Sequence, residues 1–204
     1  MTCPPPSPPS PLPPANSIHH HWLPYVPALA SRLPGAIDLV VIHCTELPDL
    51  AMAREYGERA LYPSGTGNSG HYYIDRDGSI ECWVPETRIA HHVRRWNERS
   101  VGIELVNLGR WPDWYDSRRQ QPGQSYPAIQ MQSLIALLRQ LGRRLPVAPA
   151  LAGHEDLDQE WLPASDDPAL RVRRKLDPGP LFPWPQVLRE SGLQRLRPDT
   201  PPPA

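Results

Sequence analysis

The stretch Ile37-Asp-Leu-Val-Val-Ile-His-Cys-Thr45 decides the fold. It is short, rich in β-branched residues and apolar at consecutive positions, the composition of a strand buried on both faces, and it is expected to lie centrally in a sheet. Period-2 alternation puts Leu39, Val41 and His43 on one face and Val40, Ile42 and Cys44 on the other, so Cys44 should not share a ligand with His43. Downstream, His71 to Val84 reads as two strand-like runs around Asp75-Arg76-Asp77-Gly78, whose Asp-Gly pair supplies the positive φ of a tight hairpin. Val101 to Asn107 is a further short strand and Ala148 to Gly153 another. Pro127 to Leu145 carries Ile129, Leu134, Ile135, Leu138 and Leu141 at helical spacing, with Pro127 suited to a first turn. Pro185 to Leu196 reads as a terminal helix. The segments 46–70, 111–126 and 155–173 hold Gly, Pro, Asp and Ser without periodicity and are assigned mainly to loops around a cleft. No internal repeat interrupts this order. The expected class is α/β: a central mixed sheet flanked by helices, with its site in a groove at the strand ends.

Composition limits what such a fold can do. A chain of 204 residues, 39% apolar and 21% charged, builds one good core and one site. With 21 Lys and Arg against 22 Asp and Glu there is no broad field to draw it to nucleic acid or to an anionic membrane surface. Cys3, Cys44 and Cys82 have neither the parity of a disulfide scaffold nor a CxxC spacing. The first fifteen residues contain eight prolines but no basic n-region and no apolar h-region, and no stretch reaches the ~20 apolar residues of a membrane span, so a cytoplasmic monomer is expected. The expected organisation is a proline-rich, largely extended segment 1–36, a catalytic domain 37–190 and a tail 191–204.

Three residues could hold a metal. His43 ends the first strand and His154 follows the Ala148–Gly153 strand, where α/β folds place their ligands. A lone histidine at a strand end is more often a hydrogen-bonded structural residue. Asp177 sits in Lys175-Leu-Asp-Pro-Gly-Pro, and the following proline biases it toward extended backbone, which presents Lys175 and Asp177 on one side. The two could equally form a surface ion pair. Two imidazoles and a carboxylate make up the protein donor set of a catalytic zinc, with a fourth position left for water. Glu104, between branched apolar neighbours in Val101-Gly-Ile-Glu-Leu-Val, is either a half-buried proton carrier beside such a metal or a solvent-facing strand residue. The tract His19-His20-His21 is expected to be incidental, and Trp96, Trp111 and Trp114 to pack the core more readily than to stack on sugars.

Six pieces of sequence stand in one family's order: Val41-Ile-His43, Ser69-Gly-His-Tyr-Tyr-Ile-Asp-Arg-Asp-Gly78, Ala90-His-His92, Asn97-Glu-Arg-Ser-Val-Gly-Ile-Glu-Leu105, Gly153-His154 and Arg174-Lys-Leu-Asp-Pro-Gly-Pro-Leu-Phe-Pro-Trp184. Over roughly 37–188 the chain resembles the zinc-dependent N-acetylmuramoyl-L-alanine amidases, a group that takes in cytoplasmic anhydro-muropeptide amidases, phage endolysins and peptidoglycan recognition proteins. The resemblance implies one Zn2+ on His43, His154 and Asp177, acid/base work by Glu104, oxyanion stabilisation by Lys175, and a substrate groove lined by His71 and His92. It implies hydrolysis of the amide joining N-acetylmuramic acid to L-alanine in peptidoglycan or muropeptides. The rival readings are a peptidoglycan-binding module without catalysis and an endolysin acting on intact wall. Two departures stand out: a longer, acidic stretch 159–170 ahead of Lys175, expected as a loop beside the cleft, and His91 where tryptophan is common in the family.

Overall fold

The computed structural model describes residues 17–196. The proline-rich stretch 1–15 and the end of the tail, 197–204, lie outside the described residues. In chain order the elements are β1 (Ile18–His20), β2 (Leu39–Cys44), α1 (Leu50–Gly57), β3 (Tyr72–Ile74), β4 (Ile80–Cys82), β5 (Ser100–Leu105), α2 (Ala128–Arg144), β6 (Ala150–Gly153), α3 (His154–Leu157), β7 (Trp161–Pro163), β8 (Arg171–Arg173) and α4 (Trp184–Ser191). Six strands form one mixed sheet in the order β1-β4-β3-β5-β2-β6. Only β3 and β4 run antiparallel. β2 is parallel to both of its partners, β5 and β6, one strand in from the sheet's edge.

The alternation read in β2 is what the packing uses. Val40 and Ile42 face α2, meeting Met131, Leu134, Ile135, Leu138 and Leu141 in the main core. Leu39 and Val41 face the other way, onto Val93, Trp96 and Ala152. With all six residues of β2 buried, its end is fixed from both sides. The hairpin turns at Gly78, where φ is +86° and Gly78 N–H donates to the Asp75 carbonyl over 3.0 Å. Glycine takes up such a φ without steric cost.

Four expectations are corrected. The segment 46–70 contains the helix α1: Asp49 caps it by accepting from Met52 N–H over 2.7 Å. Arg54–Glu58 and Glu55–Arg59 pairs brace it at i,i+4. Only Ala53 and Gly57 are buried on it, so it has no apolar stripe to read. Residues 17–36 are not an appendage. β1 extends the sheet beside β4, and Leu23, Tyr25 and Leu29 bury against Trp83, Val84 and Ala90. The stretch 155–173 carries the β7–β8 hairpin, whose alternate outward residues hide its strand character. α4 is also shorter than expected, because Gly192 at φ +75° ends it. The chain then returns to the free edge of β6, with Leu196 N–H donating to the Leu151 carbonyl over 2.7 Å.

Candidate metal centre and active site

Parallel strands bring their C-terminal ends together, and three of the sequence candidates sit there. His43 is the register partner of Glu104 on β5, and His154 follows directly on β6, whose Gly153 pairs with Ile42. The two imidazole rings stand 4.7 Å apart, centroid to centroid. Asp177 comes in from the segment after β8, held by Glu155 N–H, which donates to the Asp177 carbonyl over 3.0 Å. His43, His154 and Asp177 are all at most 3% exposed.

The donor atoms converge. Asp177 Oδ2 lies 2.9 Å from His43 Nδ1 and 3.2 Å from His154 Nδ1. Two ligands about 2.0–2.1 Å from a tetrahedral metal stand about 3.3 Å apart, so this spacing is the one such a centre needs. Asp177 Oδ1 and His154 Nε2 are buried with no hydrogen-bond partner. Burial alone would raise the Asp177 carboxyl, but the electrostatic pull of His154 and Lys175 and its close polar contacts with both histidines hold it well below the usual carboxylate range.

Hydrogen-bond directions strengthen the fit. Ser100 Oγ donates to the Trp96 carbonyl over 2.7 Å, so toward His92 Nε2, 3.2 Å away, it accepts. Burial keeps His92 neutral, its pKa well below that of a free imidazole. With its proton on Nε2, His92 Nδ1 is an acceptor, and His43 Nε2, at 3.0 Å, is the donor. A neutral His43 therefore presents a bare Nδ1 lone pair to a carboxylate oxygen. Two acceptors 2.9 Å apart repel unless a cation lies between them. Two histidines and a carboxylate suit a divalent zinc better than a proton, which would create a buried imidazolium.

Glu104 is 14% exposed at its side chain and its Oε1 is 4.0 Å from His43 Nδ1. Burial raises its carboxyl above the ordinary range against the pull of His43 and Lys175. Glu104, Lys175 and His92 line a cleft of about 560 Å³ over the three convergent donors, with Tyr62 and His91 on its wall. Tyr62 meets the ring of His91, the residue that stands where tryptophan is common in the family, edge to face at 5.1 Å.

His71 does not belong to this cleft. Its ring is wholly buried, with Nδ1 accepting from Gly102 N–H at 3.0 Å and Nε2 standing 2.8 Å from Arg32 Nη2 and 3.1 Å from the Arg88 carbonyl. Burial, and then the Arg32 guanidinium beside it, push its pKa down to about 3. It cross-links the sheet, and the expectation of a groove-lining His71 is corrected on that account. Trp96 is buried, and Trp111 and Trp114 pack on the second core, as core residues do. Sequence reasoning gave no role to Ser100 or to Asn97, whose Oδ1 accepts from both His92 N–H and Val93 N–H over 3.0 and 2.8 Å. Their only signal was membership of the Asn97–Leu105 motif.

Residues 33–180 match the family model described as N-acetylmuramoyl-L-alanine amidase. The chain is 30% identical over 138 residues to the N-acetylmuramoyl-L-alanine amidase AmiD of Escherichia coli K12, covering 60% of this chain and 44% of that one. It is 30% identical over 120 residues to the 1,6-anhydro-N-acetylmuramyl-L-alanine amidase AmpD of Enterobacter cloacae, covering 54% and 50%. The chain thus spans about half the length of the curated relatives it matches. Among solved structures it is similar to E. coli AmiD in complex with the substrate anhydro-N-acetylmuramic acid-L-Ala-D-gamma-Glu-L-Lys, at 26% identity and a TM-score of 0.59 over 81% of this chain and 61% of that one. With the family model matched over most of its described length, the chain belongs to the N-acetylmuramoyl-L-alanine amidase (Amidase_2) family.

Proposed function

We propose that this protein hydrolyses the amide between N-acetylmuramic acid and L-alanine in peptidoglycan or its anhydro-muropeptide fragments, as a zinc-dependent enzyme. The observation that carries the reading is the convergence of His43 Nδ1 and His154 Nδ1 on Asp177 Oδ2 at the floor of a cleft that also holds Glu104 and Lys175. His43, His154 and Asp177 would hold the metal. Zinc bound there supplies Lewis acidity and lowers the pKa of water toward about 7.

The chain's own groups do the rest. Glu104 accepts a proton from the attacking water and delivers it to the leaving amide nitrogen, a task suited to a carboxyl whose pKa burial has raised. Lys175 places a cation where the scissile carbonyl oxygen gathers negative charge. The water oxygen bonds to the carbonyl carbon, the C–N bond breaks, and the products are a muramoyl carboxylate and a peptide with a free L-alanine amine. His92 acts on His43 through its hydrogen bond and borders the substrate space.

A binding module without catalysis is disfavoured because the whole donor set and Glu104 are in place together. No described helix is long and apolar enough to cross a membrane. We take the working form to be a monomer in the cytoplasm. Purified protein assayed on polymeric sacculus and on soluble anhydro-muropeptide, with mass detection of the L-alanine-initiated peptide, tests the reading. Release from the soluble substrate supports recycling of fragments. Release only from sacculus points to lysis, and binding of either without release makes the protein a recognition module.

A further inference from the structure

The segment that delivers Lys175 and Asp177 has no regular structure of its own, yet both side chains must be held to fractions of an ångström if they serve one reaction. One buried ion pair does the holding. Arg110, in the loop after β5, has a side chain 1% exposed, and its partner Glu46, three residues beyond His43, is 9% exposed. Arg110 Nε donates to Glu46 Oε1 over 2.7 Å and Nη2 to Oε2 over 3.0 Å, a bidentate fork. The remaining N–H groups go elsewhere. Nη1 donates to the Arg173 carbonyl over 2.8 Å and to Gln120 Oε1 over 3.2 Å, and Nη2 donates to the Arg174 carbonyl over 3.1 Å. All five guanidinium donors are used, two of them on the carbonyls just ahead of Lys175.

Glu46 is itself fixed. Its backbone sits at φ +51°, a left-handed conformation that costs a non-glycine residue energy and persists only where surroundings hold it. Trp114 Nε1–H donates to its carbonyl over 3.0 Å. Gly109, at φ +50°, lies so close that a Cβ there would stand 2.6 Å from Glu46 Cγ. The pair therefore ties the end of β2, with His43, to the segment carrying Lys175 and Asp177.

We propose that Arg110, held by Glu46, is a positioning residue that sets Lys175 and Asp177 against His43, an inference that rests on the zinc amidase reading. Among the described residues its hydrogen bonds go to Glu46, Gln120, Arg173 and Arg174 and to none of His43, His154 and Asp177. Lysine keeps the charge but carries three donors on a single nitrogen, so it cannot serve both Glu46 oxygens and both carbonyls, four acceptors, together.

The test is a zinc competition titration against a chromophoric chelator, alongside kcat and KM on a soluble muropeptide, for wild type, Arg110→Lys and Glu46→Gln/Arg110→Gln. The double variant removes both buried charges at once, so it keeps the question open to measurement if Arg110→Lys does not fold. Each folded variant should bind zinc about 10- to 100-fold more weakly. Its kcat should fall by a similar factor with KM nearly unchanged, and adding Lys175→Ala should cost little more. Wild-type zinc affinity and kcat in a folded variant of either kind would overturn the inference while leaving the amidase reading intact. Wild-type protein that neither binds zinc nor cleaves a muropeptide would refute the amidase reading first, and the inference with it.

Discussion

Replacing Ser100 by alanine tests the tautomer chain that leaves His43 ready for a metal. Ser100 is fully buried, and its hydroxyl accepts from His92 Nε2–H while donating to the Trp96 carbonyl. Ser100→Ala strands His92 Nε2–H, at about 1–3 kcal/mol for a buried polar group left unpaired, while the Trp96 carbonyl keeps the Arg99 N–H at 3.3 Å. The loss also removes what keeps the His92 proton on Nε2. His92 can then hold its proton on Nδ1, where it confronts His43 Nε2–H across 3.0 Å, and His43 answers by moving its own proton to Nδ1, the atom aimed at Asp177. Metal binding must now displace a proton and reverse two tautomers. Losses of outer partners of ligating histidines typically weaken metal by about 10- to 100-fold, or about 1.4–2.7 kcal/mol, and that is the drop expected. Competition titration with a chelator at fixed pH reads the zinc affinity, and thermal melting of the metal-free protein reads folding separately. Unchanged zinc affinity in a Ser100→Ala protein that melts a few degrees lower would refute the chain of hydrogen bonds, reducing Ser100 to a packing residue.

Other outcomes follow from the same geometry. Glu104→Gln should keep zinc and lose about 10² to 10⁴ in turnover, measured by chromatography of the released peptide. Because burial raises the Glu104 pKa in the fold, its contribution to stability is present below the ordinary carboxylate range and is lost as pH rises through the raised value. In chelator-treated protein the melting advantage of Glu104→Gln over wild type should therefore grow from pH 4 to pH 8, and a constant difference would show that Glu104 is not desolvated. His71→Ala, which strands Gly102 N–H in the sheet, should lower the melting temperature while the folded fraction keeps its KM. Deleting residues 1–15 should leave melting and turnover nearly unchanged, whereas removing the chain through Leu29 strips away Leu23, Tyr25 and Leu29, each contributing about 1.5–3 kcal/mol by burial, and should prevent stable folding.

What the sequence carried depended on whether a residue's role was local. β2 was legible because consecutive branched residues have one good use, and the hairpin because Asp77-Gly78 demands a positive φ. α2 was legible because eight of its residues are buried at helical spacing. α1 was not, since a helix that buries only Ala53 and Gly57 leaves no periodic apolar signal, although Asp49 and the flanking i,i+4 charges could have marked it. The segment 17–36 hid its docking residues among prolines, whose composition argues for extended chain. At the site, His43, His154, Asp177, Glu104 and Lys175 were found through the family motifs, and the fold brings them to one cleft. His71 and His92 looked alike in sequence, but one is buried against Gly102 of β5 with both nitrogens engaged and the other borders the cleft. Pairings such as His43 with Asp177, 134 residues apart, and Glu46 with Arg110, 64 apart, are set by topology and leave no local trace.

The central claim is that His43, His154 and Asp177 hold a zinc without which the amide is not cut. It is tested most directly by returning zinc in steps to chelator-stripped protein while the L-alanine-initiated peptide released from anhydro-muropeptide is measured. The account predicts turnover that rises linearly, reaches its plateau at about one zinc per chain, and is absent throughout in Asp177→Ala. Full turnover by the stripped protein, or an Asp177→Ala variant that follows the wild-type curve, would contradict it.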